Sequence, residues 1–248
     1  MNLHAVPKLR SLLFALSLLS GATGCASTSG GSEPSASEYV FVFLKTGPAT
    51  DLTKQAQQEA FQGHFSNMGR MADVGQLLMA GPMGDPKSDP DHRGLWMFDT
   101  NRVEQALEWA RTDPTVQLGV FVLEAYEFET EADLNQLRDL DRQEEAERLA
   151  DPEIPDEWQG RGYLLASLPV DVPGASALFG ELADRPGIAL AGRLRSAVGD
   201  PSGEGESSRW LAWLLTSDEA EARKFLPNGD AWTLHGWYGS KMVAELGR

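Results

Sequence analysis

Residues 75–98 contain two short apolar segments separated by a polar loop, and this stretch decides the fold. The first segment reads Gly75-Gln-Leu-Leu-Met-Ala-Gly81-Pro82 and the second reads Gly94-Leu-Trp-Met-Phe98. Between them, Gly84-Asp-Pro-Lys-Ser-Asp-Pro-Asp-His92 is dense in residues that form turns. Because each apolar run is short and bounded by turn formers, we predict two strands, at 76–80 and 94–98, joined by a loop.

The flanking residues extend this pair into a longer alternation of strands and helices. Residues 38–44 are β-branched and aromatic, which predicts a buried strand. Residues 51–74 carry one apolar helical face, formed by Phe61, Phe65, Met68 and Ala72. A helix at 101–111 with Thr100 as its cap, followed by a strand at 116–128, completes the order strand, helix, strand, strand, helix, strand. That order is the split βαβ pattern of ferredoxin-like folds.

The second half of the chain repeats landmarks of the first in the same order. The matching landmarks are separated by 115 to 117 residues. They are Gly84 and Gly199 (115 residues apart), Arg93 and Arg209 (116), and Asp113 and Asp230 (117). Such regular offsets predict a duplication. Two four-stranded sheets, each covered by helices on one face, would bury their other faces against each other. The predicted fold class is therefore α+β, with tandem ferredoxin-like (βαββαβ) units packed sheet to sheet as a pseudo-dimer of the dimeric α+β barrel type.

The N-terminus is typical of an exported, lipid-anchored bacterial protein. A leader carrying Lys8 and Arg10 precedes an apolar run at 11–19 that is too short to span a bilayer, and Ala22-Thr23-Gly24-Cys25 resembles a lipobox. We expect cleavage before Cys25, lipidation of its thiol and, because Ala26 follows, the periplasmic face of the outer membrane. The alternative is an ordinary signal peptide with a free Cys near the cut. Cys25 is the only cysteine, so no internal disulfide can form.

These patterns divide the chain into five parts. We predict a signal peptide at 1–24, a flexible tether at 25–37, a first domain at 38–128, a helical acidic linker at 129–160 and a degenerate repeat at 161–248. The sequence has 37 acidic and 21 basic residues, and its net charge of −16 disfavours nucleic acid as a partner. His and Cys spacings suggest no metal site, and no phosphate-binding Gly loop occurs, so no cofactor is predicted.

The residues that suggest chemistry lie between His64 and Gly119. They are His64-x10-Gly75, the strand that ends at Gly81-Pro82, and Trp109-x3-Asp113-Pro114-x4-Gly119. Together these motifs resemble the YCII-related family, whose members are small ferredoxin-like proteins that dimerise as an α+β barrel. The resemblance covers 38–128 and implies that His64 and Asp113 face each other in a cleft. It also implies a lyase-type activity on small, often aromatic molecules, although most members have no assigned reaction.

A histidine paired with a carboxylate can transfer protons near neutral pH. A carboxylate that binds one ring nitrogen fixes the tautomer in which the other nitrogen is basic. Pro114 restricts Asp113 to an extended backbone, which would hold its carboxylate in place. His64 could equally be a packed histidine at the edge of a helix. Arg93 could bind an anionic substrate, or it could be structural, as its repeat partner Arg209 suggests.

Two classes of function therefore remain open. In the first, the protein is a cofactor-independent lyase or isomerase in which His64 is the base or acid and Asp113 orients it. In the second, it is an envelope lipoprotein that binds a small molecule or a protein without turnover. The position equivalent to His64 in the second half is Ser176, which predicts one such site per chain.

Overall fold

The computed structural model describes residues 37–151, 153, 160–178, 182, 185–196 and 208–246. The strands in this part of the chain are β1 (Ser37–Thr46), β2 (Leu77–Gly84), β3 (His92–Phe98), β4 (Phe121–Thr130), β5 (Gly160–Pro169), β6 (Ile188–Ser196), β7 (Arg209–Leu214) and β8 (Thr233–Ser240). The α-helices are α1 (Lys54–Asp73), α2 (Val103–Ala110), α3 (Pro114–Gln117), α4 (Gln136–Ala150) and α5 (Glu219–Phe225). Short 3-10 helices lie at Ala175–Leu178, Gly229–Ala231 and Lys241–Glu245.

The first half follows the predicted order of elements, with two differences. The strand predicted to begin at residue 116 begins at Phe121, because Pro114–Gln117 forms the short helix α3. Proline at the first helical position and aspartate just before it are a helix start signal, and here they prevail over the strand pattern. At α2 the cap residue is Arg102, and Thr100 instead accepts a hydrogen bond from the Arg102 backbone N–H at 3.1 Å.

The eight strands form one closed antiparallel barrel in the order β1-β3-β2-β8-β5-β7-β6-β4. Within it, the strands of each half keep the same relative order, β4-β1-β3-β2 in the first and β8-β5-β7-β6 in the second. The halves meet along two seams, where β2 pairs with β8 through Met83 and Trp237, and β4 pairs with β6 through Phe128 and Leu194. The α+β barrel is therefore confirmed, and its two four-stranded parts are hydrogen-bonded at their edges as well as facing each other across the interior.

The core has an inner layer within the barrel and outer layers beneath the helices. The inner layer is rich in aromatic rings, including Phe41, Phe128, Tyr163, Trp213 and Trp237. One outer layer packs the other faces of β1 and β3 against α1 and α2, and another covers the second half. The tryptophans that the structure describes in the second half are all buried: Trp210, Trp213, Trp232 and Trp237.

The segment after β4 contributes directly to the core. Leu134 and Leu137 are 0% and 1% exposed and belong to the inner layer, together with Val243 from the C-terminal 3-10 helix. The leucines in the predicted acidic linker therefore pack against one end of the barrel, while α4 continues with charged residues.

Several predictions concern residues outside the described part. These residues are the leader and tether up to residue 36, including Cys25, and the repeat landmark Gly199-Asp200-Pro201. Among the helices that the structure does describe, none is long and apolar enough to cross a membrane.

Candidate functional site

His64 lies in the middle of α1, close to the short helix α3. The helix begins after Thr53, whose hydroxyl accepts a hydrogen bond from the Ala56 backbone N–H at 3.1 Å. One residue before the histidine, Gly63 packs against Pro114, and a Cβ at that position would lie 2.7 Å from the Pro114 Cγ atom. A larger residue at 63 would therefore separate the two helices. Gly63 allows His64 to reach the start of α3.

Asp113 has two structural functions. Its backbone is extended (φ −77°, ψ 128°), as expected for a residue before proline, and its side chain caps α3 by accepting the Thr115 backbone N–H at 3.0 Å. The same carboxylate contacts His64, whose Nδ1 atom lies 3.1 Å from both Oδ1 and Oδ2. The structure therefore brings together the two residues that the family resemblance implied.

The carboxylate of Asp113 is fully buried and has four hydrogen-bond donors. Besides His64 Nδ1 and the Thr115 N–H, the Thr115 hydroxyl donates to Oδ1 and Asn67 Nδ2 donates to Oδ2 at 3.2 Å. Burial alone would raise the pKa of the Asp113 carboxyl, but the contacts with His64, Thr115 and Asn67 lower it below its ordinary value. Asp113 is therefore a carboxylate at neutral pH and can only accept hydrogen bonds.

A second layer of polar residues fixes Asn67. Arg70 donates two hydrogen bonds to Asn67 Oδ1, at 2.9 and 3.2 Å, and Thr112 donates a third at 3.2 Å. Because Asn67 Oδ1 accepts these bonds, its amide NH2 must point toward Asp113. His64, Asn67 and Arg70 are three residues apart along α1 and so share one face of the helix.

Aromatic rings surround the imidazole of His64. Trp96 stacks on it with ring centroids 5.6 Å apart, and the rings of Phe65, Phe121 and Phe61 lie 5.5, 5.7 and 6.1 Å away. Phe65 is 64% exposed, so it forms the solvent side of this enclosure. His64 itself is only 7% exposed. The His64–Asp113 pair is therefore enclosed by aromatic side chains.

This arrangement defines the chemistry that His64 can perform. Since Asp113 only accepts hydrogen bonds, the proton of the neutral imidazole lies on Nδ1, and the Nε2 lone pair is available to a ligand. Within the described residues, Nε2 makes no hydrogen bond. Also within these residues, no group of three His, Cys, Asp or Glu side chains is placed to hold a metal ion.

The other residues considered from the sequence take no part in the described contacts of this pair. Arg93 is exposed at the start of β3, and in the described structure no hydrogen bond or ion pair joins it to His64 or Asp113. In the second half, Ser176 is exposed in a 3-10 helix of four residues where the first half has the long helix α1, and Asp230 is exposed where Asp113 is buried. Among the described residues, the second half therefore has no counterpart of the His64–Asp113 pair.

The sequence analysis missed Asn67, Thr115 and Gly63. A signal for Asn67 was available, since it lies three residues after His64 on the same helical face. Thr115 follows Asp113 by two residues, the spacing at which an N-cap side chain binds a backbone N–H. Gly63 carried no comparable signal, because the close approach of Pro114 is a tertiary contact.

No curated protein sequence matches this chain. Among solved structures, it is similar to a proposed monooxygenase from Lactobacillus acidophilus NCFM at 8% identity, covering 82% of this chain and 93% of the other, with a TM-score of 0.41. It is also similar to DyPB from Rhodococcus jostii RHA1 at 16% identity, covering 88% and 97%, with a TM-score of 0.41. A DypB variant in complex with manganese gives 15% identity, 88% and 98% coverage and a TM-score of 0.40.

At these identities and TM-scores, nothing about activity transfers from those proteins to this chain. The family comparison is more specific and confirms the resemblance deduced from the sequence motifs. Residues 39–129, which contain both His64 and Asp113, match the YCII-related domain.

Proposed function

We propose that the pocket around His64 is a proton-transfer site, in which the protein acts as a cofactor-independent lyase or isomerase on a small organic molecule. The observation that carries this proposal is the contact of His64 Nδ1 with both oxygens of Asp113, at 3.1 Å each. It leaves Nε2 as the basic atom at the base of an apolar pocket. His64 takes or gives the proton, and Asp113 holds the ring in the reactive tautomer.

The walls of the pocket favour a substrate with an apolar or aromatic body. Trp96, Phe65 and Phe121 surround the imidazole, and aromatic rings bind flat apolar groups well. A base of this kind removes a proton from carbon most readily when a neighbouring carbonyl stabilises the resulting charge. The proposed substrate is therefore a small carbonyl compound with an apolar side, and Arg93 is a candidate contact for an acidic group on it.

A panel of small aromatic and aliphatic carbonyl acids tests this proposal. Wild-type protein is incubated with each compound in D2O, and NMR follows both substrate loss and exchange of protons next to the carbonyl. We expect at least one compound to react or exchange. His64→Ala should slow that reaction about 100-fold or more, the usual contribution of a general base. Ser66→Ala, which changes an exposed residue of the same helix, is the matched control and should leave the rate unchanged.

The same experiment separates catalysis from binding without turnover. If wild type and His64→Ala bind a compound equally and neither exchanges its protons, the cleft is a binding site and His64 is a packing residue. Reaction that persists in His64→Ala would also contradict the proposed role of the histidine.

The proposal also covers how the chain is organised and where in the cell it is located. The two halves are tandem copies of a ferredoxin-like unit, a view supported by their equal strand order and by the repeated sequence landmarks. Only the first copy has the His–Asp pair, so there is one active site per chain. The protein is anchored through lipid at Cys25 on the periplasmic face of the outer membrane, and its partners are that membrane and a small-molecule ligand.

A further inference from the structure

The two ends of the barrel interior differ in chemical character. At one end the inner layer is apolar and is covered by Leu134, Leu137 and Val243. At the other end, where β1 finishes and β3, β4 and β8 begin, the inner face carries polar side chains. These are Lys45, His92, Glu124 and His235, with Ser88 and Asp89 from the β2–β3 loop beside them. We call this group the polar end of the barrel.

A bulge in β3 turns His92 into the interior. Leu44 pairs with Gly94 and Lys45 pairs with His92, so Arg93 is an extra residue in β3. His92 consequently stacks on Phe43, a residue of the inner layer, with ring centroids 4.0 Å apart and planes 5° from parallel. It is 3% exposed, and among the described residues neither of its ring nitrogens has a hydrogen-bond partner.

Glu124 lies beside His92 and is held as a carboxylate. Burial alone would raise its pKa, but His92, the Tyr126 hydroxyl and Lys45 lower that pKa to about 2. Tyr126 donates to Oε1 at 2.5 Å. The second oxygen, Oε2, lies 3.6 Å from His92 Nε2 and 3.4 Å from Lys45 Nζ, yet it makes no hydrogen bond within the described structure.

Two atoms at the polar end that make no hydrogen bond within the described structure, His92 Nδ1 and Glu124 Oε2, have the same requirement. His92 Nε2 faces two carboxylates, Asp89 at 3.4 Å and Glu124 at 3.6 Å, so Nε2 carries the ring proton and Nδ1 is an acceptor. Glu124 Oε2 is also an acceptor. A bound group that satisfies both of these buried acceptors is therefore a hydrogen-bond donor. An ammonium group has three such donors.

We propose that the polar end of the barrel is a second binding site, distinct from the His64 pocket, for a small primary ammonium compound with an apolar body. Its ammonium group donates to Glu124 Oε2 and His92 Nδ1, and its body packs against the aromatic rings of the inner layer. The chain's net charge of −16 favours the approach of a cation.

Lys45 provides a further test of this proposal. Its ammonium group lies 3.4 Å from Glu124 and 4.0 Å from Asp89, so it competes with the ligand for the same carboxylates. Its side chain is 33% exposed on a flexible stem and can turn to solvent when the ligand binds. Removal of Lys45 should therefore strengthen binding of a cation, whereas it would weaken binding of an anion.

Calorimetric titration of the full-length chain in neutral detergent with benzylammonium, and with benzoate as the anionic counterpart, tests the site. We expect wild type to bind benzylammonium and not benzoate. Glu124→Gln should weaken binding roughly tenfold, the effect of losing a charged hydrogen-bond acceptor. Lys45→Gln should strengthen it. Glu127→Gln is the matched control, because it makes the same charge change at an exposed position of the same strand. His64→Ala should bind as wild type does.

Each contrary result overturns the proposal. The first is that wild type does not bind benzylammonium. The second is that Glu124→Gln and Glu127→Gln weaken benzylammonium binding equally, and the third is that wild type binds benzoate more tightly than benzylammonium. If Glu124→Gln does not fold, Lys45→Gln decides alone, since it changes only a partly exposed side chain. Weaker benzylammonium binding in that variant would contradict the site.

Discussion

Thr115 donates two hydrogen bonds to a single oxygen of Asp113, one from its backbone N–H and one from its hydroxyl. Both residues are fully buried. The threonine thereby holds the carboxylate in the orientation that contacts His64. It connects the cap of α3 to the candidate site, so stability and site geometry depend on the same contacts.

Two substitutions of Thr115 distinguish the stabilising effect of its hydroxyl from that of its size. Thr115→Val has the same size but lacks the donor, and it should lower the free energy of unfolding by about 1–3 kcal/mol because a buried carboxylate loses a partner. Thr115→Ser keeps the donor and should cost less than Thr115→Val. Chemical denaturation at pH 7 measures both. A valine variant as stable as wild type would show that the hydroxyl does not stabilise Asp113.

Two glycine substitutions test the seam between β4 and β6. A Cβ at Gly192 would lie 2.2 Å from Phe128 Cζ, so Gly192→Ala should destabilise the protein by about 1–3 kcal/mol through overpacking at this seam. Gly69 in α1 has nothing within 4 Å of such a Cβ, and Gly69→Ala should stabilise the helix by about 1 kcal/mol. Thermal unfolding of both variants measures the difference. Equal stability of the two would contradict the packing of Phe128 over Gly192.

Local sequence patterns predicted much of this fold because they report on single elements. The strands around Phe41 and Trp96 and the helix around His64 have clear apolar periodicity. The seams that close the barrel were not predictable in this way, because pairing of β2 with β8 joins residues about 150 positions apart and depends on which edges meet.

The candidate site was predictable to the same extent. His64 and Asp113 followed from motifs that resemble a known family, whereas Asn67 and Gly63 depend on contacts between helices. The His92 pair with Glu124 was hidden for a different reason. A single bulge at Arg93 reverses the face that His92 presents, and strict alternation along the strand would have placed that residue outside.

The pH dependence of stability should reflect His235. Burial is the largest cause that lowers the pKa of His235 to about 4 from 6.5; the nearby His92 and Arg209 lower it further, and Asp89 acts in the opposite direction. Between pH 6.5 and pH 4 the unfolded chain therefore takes up a proton that the folded protein does not. The free energy of unfolding should fall across this window, by about 3 kcal/mol at most.

Urea denaturation of wild type and His235→Gln at several pH values checks this expectation. The variant should have a flatter dependence between pH 6.5 and pH 4.5, above the range in which Glu124 contributes. Because the Glu124 pKa is lowered to about 2, its contribution is lost only between about pH 4.5 and pH 2. Identical pH profiles for the two proteins would mean that His235 is not buried in its neutral form.

The proposed anchor is tested by partition into detergent. When the chain is expressed in a Gram-negative host, wild type should enter the detergent phase, because two or more acyl chains at Cys25 would hold it in a membrane. Cys25→Ser should move to the aqueous phase, while Ser27→Ala should behave as wild type does. Wild-type protein found in the aqueous phase would exclude the lipid anchor.

The central claim is that Asp113 keeps the His64 proton on Nδ1 and leaves Nε2 basic, and NMR of the ring nitrogens in 15N-histidine-labelled protein tests it most directly. At neutral pH, in the uncharged ring, the account predicts a protonated Nδ1 and an unprotonated Nε2 for His64. In Asp113→Asn, the Asn oxygen accepts the Thr115 donors, so its NH2 group must face His64 Nδ1 and should move the proton to Nε2. A proton on Nε2 in the wild-type protein, or no change of tautomer in a folded Asp113→Asn variant, would contradict the account.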